Sequence, residues 1–344
     1  MPDTIIDLLR ATPPNTNALA AENRPELTFG GLVSQAEATV ANLNSRGIGR
    51  NDRVAIVLPN GPEMASAFIS VGSGATTAPL NPAYKEEEFD FYLSDLKAKA
   101  LVVEKGSKSP ALAVANTRNI EVVEITWNDS DPAGTFTILG EGPVQTQTTS
   151  TFASLEDLAL ILHTSGTTSQ PKIVPLTQKN ICSSAENIAT TLKLTTSDRC
   201  LNVMPLFHIH GLIAAVLSTL ESGSSVFCAT GFSALNFFNL LEHARPSWYT
   251  AVPTMHQAIL SRAGRNEKVL KRTGLRFIRS SSSSLPPQVM NEMEHVFGCP
   301  VIEAYGMTEA SHQMTSNPLP DAPRKPGSVG MAAGPEVSIM SQNG

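Results

Sequence analysis

The chain has 344 residues, 41% of them apolar and 16% charged, enough for one large α/β unit or two domains with a buried core. A formal net charge of −6 argues against a nonspecific nucleic-acid binder and leaves no polybasic patch for a membrane surface. A polyanionic ligand would therefore need a local counterpart: a lysine, backbone N–H groups or a metal.

The amino terminus, MPDTIIDLLRATPP, has no basic segment before its short apolar run, so no signal peptide is expected. No apolar run approaches the ~20 residues of a membrane span. Cys182, Cys200, Cys228 and Cys299 include no C-x-x-C pair, which points to free, buried thiols in a reducing compartment and a cytoplasmic protein.

In chain order, 52–60 (DRVAIVLPN) is predicted as a buried strand closed by a Pro-Asn turn. An apolar helix rich in small residues follows over 61–82, breaking at PLNP. Residues 85–100 are predicted as an amphipathic helix and 100–104 (ALVVE) as a strand. This alternation favours an α/β fold with parallel pairing. The Thr/Ser/Gly/Pro-rich stretch 128–154 is a connecting region and a candidate subdomain boundary.

A second βα run begins at 157–166, DLALILHTSG, whose apolar part predicts a central strand. It continues through a helix at 177–194, DRCLNVMPLFH, the apolar segment 210–223, strand 224–230 and helix 233–244. WYTAVP and LRFIRSSS follow. The chain then turns Pro/Gly-rich from Pro318, with one strand-like piece, EVSIM, at 336–340.

The most unusual run is ILHTSGTTSQPKIVPLT, 161–177. Phosphate oxygens need many short-range donors. Thr164, Ser165, Thr167, Thr168 and Ser169 offer hydroxyls beside backbone N–H groups, Gly166 permits close approach, and Lys172 supplies a point charge. Composition alone also suits an exposed polar turn; position after a buried strand, where open α/β sheets bind ligands, favours a phosphate loop. It is not a Walker loop, because Pro171 precedes Lys172 and Ile173 follows it.

These residues resemble the phosphate loop of the adenylate-forming superfamily of acyl-CoA synthetases, luciferases and adenylation domains. Ser169 and Ile173 stand where that family commonly has glycines, and a β-branched residue would be strained if position 173 needed a positive φ. PLFHIHG (205–211) and EAYGMTE (303–309) resemble the second and third family signatures, and RSSSSSLP (279–286) occupies the place of the adenine-slot segment.

The resemblance implies a layered αβαβα arrangement of two stacked αβ subdomains, 1–155 and 156–325, interwoven, with the ATP and acid sites in the second. Residues 326–344 would begin a small β-barrel. It further implies ATP contacts from Thr164 through Ser169, Lys172, Ser281, Ser282, Ser283 and the run Glu303, Ala304, Tyr305, Gly306, Met307 and Thr308. Tyr305 would stack on adenine, Thr308 would bond phosphate, and Glu309 would hold Mg²⁺; Lys172, Thr308 and Glu309 are the expected catalytic residues.

The finer resemblance, carried by HTSGTTSQPK, PLFHIHGL, FIRSSSSSLPP and EAYGMTEASHQMTSNPLP, is to oxalate–CoA ligases. It implies ATP-dependent conversion of a small carboxylic acid to an acyl-adenylate, then transfer to coenzyme A. Oxalate needs donors for its second carboxylate, and His208, His210, Ser282 and His312 are the candidates. His208 and His210 alternate as strand neighbours would, so one of the two is expected to face the pocket. A longer or aryl acid such as 4-coumarate stays open, as does a non-catalytic nucleotide-binding module. The family's ribose-binding aspartate, hinge and C-terminal lid domain with its catalytic lysine would lie beyond Gly344. The chain is thus expected to be the N-terminal portion of a ligase, nearly inactive alone, with a peroxisomal address at the far end left open.

Overall fold

The computed structural model describes residues 2–140, 151–164, 171–320 and 322–341. Among them, two parallel-rich sheets form a mixed α/β fold. The first runs, in spatial order, Thr137–Ile138, Glu121–Thr126, Ala100–Glu104, Arg53–Val57, Thr76–Pro79, Leu158–Thr164 and Lys172–Thr177. The second runs Met331–Ala332, His312–Ser316, Val301–Met307, Phe277–Ser280, Trp248–Ala251, Arg199–Asn202, Ser225–Cys228, Asn17–Ala20 and Leu27–Thr28. Inner strands of both sheets pair in parallel, and antiparallel pairs close their ends.

Apolar side chains explain the layering. The largest core lies between the sheets and joins Ile56 and Leu160 of one to Val226 and Trp248 of the other. Helices Phe29–Ser45, Pro62–Gly72 and Gln178–Thr191 contribute to it. On the outer face of the second sheet, helices Phe237–Ala244, Pro253–Ala263 and Pro287–Phe297 cover another core. Helices Glu86–Asp95 and Ala111–Thr117 cover the outer face of the first. Strands buried on both faces need continuous apolar runs, as Ala159–Leu162 illustrates.

Several local expectations change. The run 61–82 divides into the helix Pro62–Gly72 and a buried strand, Thr76–Pro79, because β-branched Thr76 and Thr77 suit a pleated sheet. Leu158–Thr164 is a strand, but next to the sheet edge rather than central, since Lys172–Thr177 pairs outside it. Ile173 belongs to that antiparallel edge strand, opposite His163, and has no positive φ. A β-branched residue is at home there, so the expected strain is absent. Residues 336–340 form no strand; the short strand Met331–Ala332 pairs with His312–Ser316 instead. Sheet membership also crosses position 155 in both directions, Asn17–Thr28 lying in the second sheet and 158–177 in the first.

All four cysteines are free and buried. Among the described residues no helix is long and apolar enough to cross a membrane.

Candidate active site

Parallel sheets expose ligand sites at the carboxyl ends of their strands. Here two such ends, one from each sheet, meet. Thr164 closes Leu158–Thr164, and Glu309 sits in the tight turn Thr308–Ala310 directly after Val301–Met307. The Thr164 hydroxyl donates to Glu309 Oε1 at 3.4 Å. Lys172 is the ladder partner of Thr164 and is exposed. Hydroxyl, ammonium-bearing strand and carboxylate therefore share one mouth. Ser165, Gly166, Thr167, Thr168 and Ser169 lie outside the described residues.

Beside this mouth is a cavity of about 330 Å³. His163, Gly306, Met307 and Thr308 line the side towards Thr164 and Glu309, while His208, His210, Ser282 and His312 line the rest. His163 is anchored by Asp95, its Nε2 lying 2.9 Å from Oδ2. Gly306 is required by close packing: a Cβ there would lie 1.7 Å from the His312 carbonyl oxygen across the ladder. Ser311 (φ 54°) and His312 (φ 102°) both adopt left-handed backbone conformations, which cost of order 1–3 kcal/mol for such residues and cluster at functional sites.

The two histidines of 205–211 both line the cavity, contrary to the expectation of one. Their segment is a turn leading into a π-helix, His210–Leu217, so strand alternation does not apply. Wide π turns are rare and recur at functional sites. His208 is exposed; His210 is buried, with Nδ1 2.9 Å from Ser282 Oγ and Nε2 2.6 Å from Thr250 Oγ1.

The serine segment divides by burial. Ser281 is fully buried; its N–H donates to Ala251 O at 3.3 Å and its hydroxyl to Ala304 O at 3.0 Å. Ser282 and Ser283 are exposed. Glu303 is turned inward, accepting from Leu285 N–H at 2.8 Å, and burial raises its pKa. Its carboxylate thus fastens the serine loop to the strand. Ala304 is also buried, while Tyr305 is 46% exposed and stacks on no ring among the described residues.

Arg279 was missed in the sequence because FIRS looks like an ordinary strand end. It is wholly buried behind His210 and His312, and burial lowers its pKa to about 10. Burial, then the neighbouring positive groups, holds His210 well below the ordinary histidine range; burial and Arg279 do the same to His312. His256, beneath the same sheet face as Tyr249, is lowered by burial to about 4. These imidazoles are neutral in the fold and titrate near 6.5 when unfolded. Their contribution to stability is complete above pH ~6.5 and is lost as pH falls towards the folded values. We expect His256 alone to remove about 2 kcal/mol between pH 7 and pH 5, read by urea unfolding at both values. Equal stability at the two pH values would contradict this.

No group of three or more His, Cys, Asp or Glu able to hold a metal ion occurs among the described residues. Glu309 nevertheless suits a hard cation: it is an exposed carboxylate whose described contact is the Thr164 hydroxyl. Mg²⁺ at phosphate sites is bound by one or two carboxylates plus substrate phosphates, which this arrangement fits.

A family model described as AMP-binding enzyme matches residues 9–344. An oxalate–CoA ligase of Arabidopsis thaliana is 44% identical over 96% of this chain and 65% of its own length. One from Saccharomyces cerevisiae is 40% identical over 96% of this chain and 65% of its own. Among solved structures, ATP-bound MatB from Rhodopseudomonas palustris superposes with a TM-score of 0.80 at 26% identity, over 97% of this chain and 65% of that one. The chain thus spans about 65% of the length of these curated relatives.

Proposed function

Since this chain belongs to the AMP-binding enzyme family, we propose that it carries the nucleotide and acid sites of an ATP-dependent acid–CoA ligase whose acid is oxalate. One observation carries the reading: a small cavity lined by His210, Ser282 and His312 opens beside the Thr164–Glu309 contact. A cavity of about 330 Å³ is at the small end for ligand sites and suits a short acid better than a long chain. The names of the two relatives, both oxalate–CoA ligases, support the same choice.

In the proposed reaction a carboxylate oxygen of the acid attacks the α-phosphorus of ATP. The bond to the bridging oxygen breaks, and pyrophosphate leaves with that electron pair. The coenzyme A sulfur then attacks the acyl carbon of the adenylate, losing its proton, and AMP departs. Two anions must meet in the first step. At ~4 Å a pair of unit charges repels by ~4 kcal/mol at an effective dielectric of ~20, so neutralisation is the central task. Lys172 would bind the phosphates, Thr308 would donate its hydroxyl to them, and the loop hydroxyls from Thr164 onward would add donors. Tyr305 would stack on adenine. Mg²⁺ held by Glu309, when bound, would supply further positive charge at the phosphates.

Pyrophosphate release by the full-length ligase tests the reading across a panel of acids. Oxalate is expected to exceed acetate, hexanoate and 4-coumarate by at least about 10²-fold in kcat/KM, since a site built to hydrogen-bond a polar group discriminates strongly against analogues lacking it. Preference for 4-coumarate or a longer acid would overturn the oxalate assignment. Nucleotide binding without pyrophosphate release from any acid would point to a non-catalytic module.

A further inference from the structure

We infer that Arg279 and Thr250 set the direction of a hydrogen-bond relay through His210 that presents the Ser282 hydroxyl as a donor to a bound carboxylate. This rests on reading the cavity as the acid site.

Arg279 lies on Phe277–Ser280, and its direct parallel partner on Trp248–Ala251 is Thr250, so the two side chains rise from the same face of the sheet. The guanidinium can only donate. Its Nη1 is 3.5 Å from both Thr250 Oγ1 and His210 Nε2, and its Nη2 is 3.3 Å from Gln313 Oε1. Its Nε has no partner, and no carboxylate pairs with it among the described residues. An isolated buried cation is costly, and an apolar residue in its place is often neutral or stabilising. Such a charge calls for a ligand or a positioning task.

Its polarity propagates step by step. Thr250 Oγ1 accepts from Arg279, and the same donor-only Nη1 also faces His210 Nε2, which disfavours a proton on that nitrogen; Nε2 therefore accepts the Thr250 proton, 2.6 Å away. The neutral imidazole then carries its one proton on Nδ1 and donates it to Ser282 Oγ at 2.9 Å. Ser282, accepting from the ring, keeps its hydroxyl proton for a partner in the cavity that can only accept. A carboxylate is such a partner; a methyl or methylene group is not. The backbone holds Ser282 at φ 72°, uncommon for serine, in the loop that Glu303 fastens through Leu285. With Arg279 fixed behind His210, an acid bearing a second anionic group gains most.

Two measurements decide it. Nitrogen-15 NMR of histidine-labelled, ligand-free protein is expected to show His210 as the Nδ1–H tautomer. In Arg279→Met and in Thr250→Val, the Nε2–H form should appear, because the forced donor to Nε2 is gone. An Nε2–H ring in the wild type, or no change in either variant, overturns the relay. Calorimetry with oxalate and acetate then tests its use. Arg279→Met should lose at least about 30-fold in oxalate affinity but no more than about 3-fold in acetate and Mg·ATP affinity, with Arg279→Lys in between and the melting temperature unchanged or raised. Parallel losses for all three ligands would reduce Arg279 to a structural role and overturn the inference. Wild-type protein binding neither acid would sink the acid-site reading, whereas the tautomer result judges the relay independently of it. Should Arg279→Met fail to fold, Thr250→Val and Arg279→Lys carry both measurements.

Discussion

Replacing His312 by leucine is expected to reduce oxalate affinity by about 10²-fold while leaving ATP affinity within about twofold, because the loss of a hydrogen-bonding group from a buried site leaves the ligand's carboxylate unpaired. The side chain is buried, its Nδ1 has no partner among the described residues, and it lines the cavity 5.2 Å, ring to ring, from His210. It is also held at φ 102° beside Ser311, whose carbonyl accepts from the Ser184 hydroxyl at 2.6 Å. A strained, unsatisfied buried imidazole is best understood as kept for a ligand. Leucine is close in volume, so the cavity should persist without the donor. Calorimetric titrations with oxalate and with ATP separate the effects. Equal weakening of both ligands would remove His312 from the acid pocket and assign it to the scaffold.

The second large effect concerns Glu309. Glu309→Gln keeps the shape and the hydrogen bond from Thr164 but removes the charge. In the proposed reaction, oxalate-dependent pyrophosphate release should fall by about 10²–10³-fold, the usual cost of losing one well-placed electrostatic group. In binding, the wild-type protein should take Mg·ATP more tightly than ATP in EDTA, and the variant should treat the two alike. If the variant retained the metal-dependent gain, the carboxylate that holds Mg²⁺ would have to be another residue.

Much of the architecture was legible because parallel strands announce themselves as apolar runs: 100–104 was read to the residue, and Leu158–Thr164 came from LALIL. Of the signatures at 205–211 and 303–309, residues 207–210 and 306–308 line one cavity. Other features depend on distant partners. Nothing local says that Asn17–Ala20 pairs with Ser225–Cys228, more than 200 residues away. Lys172–Thr177 was hidden by Pro175, which is tolerated because that strand forms the sheet edge. The π-helix at His210 follows a backbone turn, and no apolar periodicity encodes either. Arg279 was invisible for a similar reason: an arginine among apolar residues usually extends its head to water, and only the packed sheet reveals that this one does not.

Crystallising the protein with Mg²⁺, a non-hydrolysable ATP analogue and oxalate is the most direct test of the central claim, that the nucleotide and the acid meet where the two sheets' strand ends converge. The account predicts the metal on the Glu309 carboxylate, the phosphates between Thr164, Lys172 and Thr308, and oxalate in the histidine cavity against the Ser282 hydroxyl. A nucleotide seated elsewhere, with Glu309 facing solvent and the cavity without acid, would contradict it.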